Sequence, residues 1–246
     1  MKSFCVFICF FAFTYVLNSS NIYHLNFKTE TSIIVPSLFL GSYSLFQANK
    51  QTTLSYETIQ NLSVNSINKF DRRATQNFSP FASKISDYLL IACLIAPFTL
   101  NMDKNIQNEY REIGVISTET FLLTTSLVTF SKTKFQRNRP YVYNENVDIK
   151  IRQKQDSQYS FFSWHTALAF AGGILTATIY DDIYPDKNNF WIYATTITTA
   201  STVGYLRYKA GKHFPSDVVV GAIVGTGAAL FLTHIHKESK ASHHSM

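Results

Sequence analysis

Leu206-Arg-Tyr-Lys-Ala-Gly-Lys-His-Phe-Pro-Ser-Asp217 sets a cation at Arg207, an imidazole at His213 and a carboxylate at Asp217. Proline is favoured in the first turn of a helix, so Pro215 predicts a helix that continues through the apolar run 218–232. His213 then lies just ahead of the helix and Asp217 in its first turn, where the helix dipole favours a carboxylate. Asp217 is expected to accept a hydrogen bond from one ring nitrogen of His213. That would fix the tautomer and leave the other nitrogen free for nucleophilic attack. Alone, His-x-x-x-Asp is a common pattern at solvated helix ends, so its meaning depends on what precedes it.

Two blocks upstream bear on it. Lys132-Thr-Lys-Phe-Gln-Arg-Asn-Arg-Pro140 closes a long helical candidate. Pro140 disfavours helix at Arg139, so the helix ends by then. Cations also suit a helix C-terminus without any further role. Ser160-Phe-Phe-Ser-Trp-His-Thr166 stands directly ahead of another helix, with Ser163 as its N-cap. The free N–H groups at such a start form a seat for an anion, and His165 lies beside it.

The rest of the chain reads as helices. Candidates run over 33–46, 87–100, 112–130, 164–179, 190–207 and 218–233, the second apolar enough to be a buried helix. No repeat and no alternating strand pattern interrupts them, which predicts an all-α bundle with the site at helix ends. The expected organisation is a signal peptide or N-terminal anchor at 1–20, an N-terminal helical region at 21–110, the core at 111–235 and a polar tail at 236–246. Lys2 followed by a Phe-rich apolar run is the signal-like feature. With Cys5 and Cys9 removed, Cys93 alone remains and no intrachain disulfide can form.

The 246 residues carry a formal charge of +6, but only 15% are charged. The basic residues are scattered, which argues against a nucleic-acid partner and for a local anion site. Mean hydropathy is near zero. The apolar runs are diluted by Thr, Ser and Gly, and the Leu89 and Val218 runs are the best candidates to span a membrane. If 33–47, 87–100 and 113–131 all spanned after a cleaved signal, residues 132–163 would return to the cytoplasm. The expectation is therefore an exported, periplasmic or extracytoplasmic helical domain resting on a membrane or partly in it. Full integral-membrane placement is the alternative.

The three blocks together resemble the signature of the type 2 phosphatidic acid phosphatase (PAP2) and vanadium haloperoxidase superfamily. That pattern is Lys-x6-Arg-Pro, Pro-Ser-Gly-His and Ser-Arg-x5-His-x3-Asp. Lys132, Arg139 and Pro140 fit the first part; Ser163 and His165 fit the second; Arg207, His213 and Asp217 fit the third. The resemblance covers roughly residues 112–232. It implies a phosphoric monoester hydrolase with no cofactor and no metal, acting on a phosphorylated lipid or a small phosphate ester. His213 would be the nucleophile, Asp217 its orienter and His165 the leaving-group acid. Lys132, Arg139 and Arg207 would bind phosphate with Ser163 and the N–H of Trp164. The alternatives are a vanadate-dependent haloperoxidase and a catalytically weak phosphate-binding relative.

Three positions depart from the pattern. Phe162 replaces Pro, Leu206 replaces Ser, and Trp164 replaces Gly. Trp cannot reach the positive-φ conformations open to Gly without cost, so a strained seat is expected there, and Trp164→Gly is expected to raise turnover.

Overall fold

The computed structural model describes residues 22–237. The signal-like segment 1–20 and most of the polar tail lie outside them. The helices are α1 (Phe27–Asn49), α2 (Tyr56–Gln60), α3 (Lys69–Arg72), α4 (Pro80–Thr99), α5 (Tyr110–Phe135), α6 (Ile149–Arg152), α7 (Trp164–Ile183), α8 (Phe190–Lys209) and α9 (Pro215–His236). Among the described residues the one β pairing is an isolated bridge between Tyr23 and Lys237. The fold is all-α, as expected.

Local chemistry sets the helix ends. Ser79 caps α4 ahead of Pro80, so that helix begins well before position 87. Asn26 caps α1, and the Glu30 carboxylate returns the bond by accepting from Asn26 N at 2.6 Å. Gln136 takes a left-handed conformation and its N–H bonds to Lys132 O, closing α5.

The long helices alternate in direction. The C-terminal ends of α1, α5 and α8 gather with the N-terminal ends of α4, α7 and α9. The connections at that end carry α2, α3 and α6. At the opposite end Tyr23 donates to Asp182 at 2.6 Å and Lys237 pairs with the same carboxylate.

Helix α7 is the central element, packed by α4, α5, α8 and α9. Its approach to α9 depends on small residues. A Cβ on Gly225 would stand 1.9 Å from Ala167 O, and one on Gly221 would stand 2.8 Å from Ser163 O. Gly172 meets α4 in the same way, since a Cβ there would lie 2.2 Å from Cys93 O. Such backbone-to-backbone approach characterises helices that pack within a membrane.

Beside an apolar core, the bundle buries many hydroxyl side chains and turns large apolar ones outward. Ser37, Ser44, Ser117, Thr120, Thr124 and Ser126 are buried between α1 and α5 or their neighbours, while Phe39, Phe81, Ile91, Ile95, Ile223 and Phe231 face outward. The helix expected to be buried over 87–100 therefore shows an apolar face to the exterior. Its core contacts run through Leu90, Cys93 and Pro97. Among the described residues three segments, Pro80–Met102, Gln107–Tyr143 and Pro215–His236, are long and apolar enough to cross a membrane. They support membrane association and amend the expectation of a largely globular domain. The Leu89 and Val218 runs fall in two of the three.

Candidate active site

The site residues come from the ends of five helices and the loops between them. Lys132 lies in the last turn of α5, and its ammonium donates to Tyr159 O at 2.8 Å. The helix stops at Phe135, so Arg139 arrives on extended chain ahead of Pro140. Arg139 is buried. Its Nε donates to Asp156 O at 2.9 Å and its Nη2 to Asp156 Oδ1 at 2.6 Å. Its Nη1 is buried with no acceptor among the described residues.

Ser163 caps α7 and is fully buried. Its oxygen accepts from Thr166 Oγ1 at 2.8 Å and from Thr166 N at 3.3 Å. Its own N–H is taken by Asp217 O at 3.1 Å. The N–H groups left for a ligand at this helix start are those of Trp164 and His165.

Arg207, in the last turn of α8, is buried. Its Nη1 contacts Ser83 Oγ at 3.2 Å, Ser86 Oγ at 3.2 Å and Asp87 Oδ1 at 3.4 Å. Its Nε, like Arg139 Nη1, is a buried donor with no acceptor among the described residues.

The loop that carries His213 turns at Gly211, where φ is +69°, a conformation that favours glycine. Gly211 O accepts from Tyr141 N at 3.1 Å, which ties this loop to the Arg139-Pro140 turn. His213 is only 1% exposed. Its Nδ1 lies 2.7 Å from Ser160 O. A carbonyl can only accept, so Nδ1 carries the proton and Nε2 is the nitrogen with a free lone pair. Burial and the nearby Arg139, Lys132 and Arg207 cations hold the His213 ring well below its ordinary pKa, so it is neutral at neutral pH. In the same loop, burial and Arg139 push the Lys212 ammonium down to about 8.

The direct Asp217–His213 hydrogen bond expected from the spacing is not formed, because the closest approach is 3.9 Å. The carboxylate is already committed at the start of α9. Oδ2 accepts from Ser160 Oγ at 2.6 Å and from Phe214 N at 2.8 Å, and Oδ1 accepts from Arg137 Nη1 at 2.6 Å. Asp217 thus reaches the imidazole through Ser160, whose hydroxyl it holds and whose carbonyl holds His213.

Residues that the family pattern does not include complete this arrangement. Arg137 bridges Asp217 to Asp71, with Nη2–Oδ2 at 2.7 Å, and its guanidinium stacks on Phe214 at 4.0 Å. Asp71 also accepts from Ser216 N and Ser216 Oγ. Burial alone would raise the Asp71 carboxyl. The bonds from Ser216 and Arg137 outweigh it and hold the group below the usual range. Arg137 and Ser160 lie within two of the quoted blocks and were open to notice there. Asp71 and Asp87 lie too far upstream for any local spacing to bring them in.

Trp164 departs from expectation. It is the first residue of α7 and takes no positive φ; among the described non-glycine residues only Gln136 does. The indole packs toward α5, donating Nε1–H to Thr125 Oγ1 at 3.3 Å, and its ring stands edge-on to His165 with centroids 5.2 Å apart. No backbone strain remains for glycine to relieve. Trp164→Gly is therefore expected to lower stability by about 2–3 kcal/mol, below the range for a fully buried Trp, with no gain in kcat. Denaturant melts together with kinetics per folded enzyme check this.

Comparison with known proteins gives the arrangement a context. One relative is the bacitracin transport permease protein BcrC of Bacillus licheniformis, 33% identical over 94 residues, which are 38% of this chain and 41% of that one. The chain thus matches about two fifths of that relative's length. In fold it is similar to a transmembrane PAP2-type phosphatidylglycerolphosphate phosphatase from Bacillus subtilis, with a TM-score of 0.51 at 17% identity over 81% of this chain and 94% of that one. LpxE of Aquifex aeolicus aligns with a TM-score of 0.37 at 21% identity, over 86% and 96% of the two chains. The PAP2 superfamily matches residues 114–241, more than half of the sequence and the region that holds all three blocks, and the chain belongs to that superfamily.

Proposed function

We propose that this chain is a metal-independent phosphatase that hydrolyses a lipid phosphate monoester through a phosphohistidine at His213. The observation that carries the reading is the pair of buried guanidinium donors, Arg139 Nη1 and Arg207 Nε, that no described residue accepts. A buried donor without an acceptor costs about 1–3 kcal/mol, more for a charged group, and a phosphate oxygen would remove that cost at both. Lys132 and the N–H groups at the α7 start supply further positive potential for the same anion.

In this reading the neutral Nε2 of His213 attacks phosphorus. The P–O bond to the leaving alcohol breaks, and its electron pair takes a proton from His165. Water then attacks phosphorus and gives a proton to His165 as the P–N bond breaks; its electron pair returns to Nε2, which releases inorganic phosphate and neutral His213. Asp217 and Ser163 hold the frame, one through Ser160 and the other by capping α7. Fixed cations stabilise the charge that develops on the transferring group.

The outward apolar faces of α4 and α9 favour a lipid over a soluble ester. Activity of the purified protein on phosphatidic acid, a polyprenyl diphosphate and an aryl phosphate is the test. Turnover is expected to survive excess EDTA and to be inhibited by vanadate. Complete loss on chelation, restored by a divalent ion, would remove the metal-free mechanism.

A further inference from the structure

The geometry points to Asp87 as the positioning residue of the leaving-group acid: its carboxylate holds Nε2 of His165 and leaves Nδ1 to serve the ester oxygen. The inference rests on the proposed role of His165 and adds a residue that lies outside the three blocks and outside the matched region 114–241.

Asp87 projects from the N-terminal part of α4. Its Oδ1 stands 2.7 Å from His165 Nε2 and 3.4 Å from Arg207 Nη1. A carboxylate can only accept, so Nε2 carries a proton in this contact and Nδ1 is the nitrogen left for proton exchange. Nδ1 makes no hydrogen bond to a described side chain.

The need for a carboxylate follows from the surroundings. Burial first, and then Arg207 from α8, Arg139 from the turn after α5, Lys132 from α5 and Lys212 from the α8–α9 loop, push the His165 ring down to about 2, so it is neutral before substrate binds. All four are cations and oppose a second proton on the imidazole. Asp87 is the acidic group in contact with the ring and works against that repulsion; a bound phosphate adds negative charge on the other side, so the second proton is taken up with the substrate. The same Asp87 oxygen also touches Arg207, which ties the acid to a phosphate-binding cation. In the first step Nδ1–H passes to the departing alkoxide as the P–O bond breaks. In the second step Nδ1 takes the proton from the attacking water.

The test uses Asp87→Asn in the full-length protein, with two substrates that differ in leaving group. The Asp87 side chain is 54% exposed, so the variant is expected to fold. An acid matters most when the leaving group is poor. Asp87→Asn should therefore lower kcat on an alkyl phosphate by about 10²-fold and on a nitrophenyl phosphate by less than about threefold. The basic limb of the pH profile should move to lower pH, because the carboxylate favours the protonated ring. Asp87→Glu should recover part of the alkyl activity. In a His165→Ala background the leaving-group dependence of Asp87→Asn should vanish, leaving only a small loss, equal on both substrates, through its contact with Arg207.

Equal losses on both substrates, or a full additional loss in the His165→Ala background, would overturn the inference. The two levels separate cleanly. If His165→Ala shows the leaving-group dependence and Asp87→Asn does not, the Asp87 assignment alone fails. If His165→Ala falls equally on both substrates, the acid role of His165 fails first and takes the Asp87 inference with it.

Discussion

His213→Ala is expected to abolish turnover, with kcat down by at least about 10⁴-fold on any phosphate ester, the scale at which loss of a nucleophile is felt in hydrolases that form covalent intermediates. The expectation rests on three features of the ring. It is almost fully buried, its Nδ1 proton is committed to Ser160 O, and its Nε2 is free. Burial and the surrounding cations keep it neutral, so the nucleophile does not itself need to lose a proton in the neutral range. The low pKa has a signed consequence. Protonation of His213 begins only well below its ordinary range, so an acid limb near pH 6.5 would have to belong to another group. The His213→Ala protein should still bind inorganic phosphate, because the cations that hold it are untouched. Steady-state kinetics and phosphate binding by calorimetry check the two halves. Loss of binding together with turnover would mean a collapsed site rather than a missing nucleophile.

Arg207→Ala is expected to have the next largest effect, lowering kcat/KM by about 10³-fold, which corresponds to about 4 kcal/mol. Arg207 presents a buried Nε with no acceptor among the described residues, and Ser83, Ser86 and Asp87 hold it through Nη1. Its planar fork therefore has one side fixed and another available to a phosphate oxygen. Arg207→Lys keeps the charge but loses the fork, and should recover only part of the activity. The inhibition constant for vanadate should rise in parallel with the loss of kcat/KM. A variant that kept its vanadate affinity while losing activity would show that Arg207 acts elsewhere than on the anion.

The sequence exposed some of this plainly and hid the rest for physical reasons. The starts of α7 and α9 were legible because Ser163 and Pro215 are strong local signals. The all-α fold followed from the run of apolar segments without alternation. Membrane character was masked most along α1, where Ser37 and Ser44 dilute the hydropathy while facing inward. A window average cannot tell an inward Ser from an outward one. The site was legible where its residues share a block, as with Arg207, His213 and Asp217. The link between His213 and Asp217 was misread because spacing does not report that Arg137, Ser160 and Phe214 N already occupy the carboxylate. Asp71 and Asp87 were beyond reach because they enter through α3 and α4, from a part of the chain that shows no motif. Trp164 looked like a defect beside a pattern with glycine, yet its backbone is ordinary helix and its indole is a packing residue against α5.

The central claim is that phosphate passes through His213. Rapid mixing with substrate labelled in the phosphoryl group, quenching into alkaline denaturant and peptide mapping test it most directly. The account predicts a base-stable, acid-labile label on the peptide containing His213, formed faster than or as fast as turnover and absent from His213→Ala. Label on any other residue, or a persistent label in His213→Ala, would contradict it.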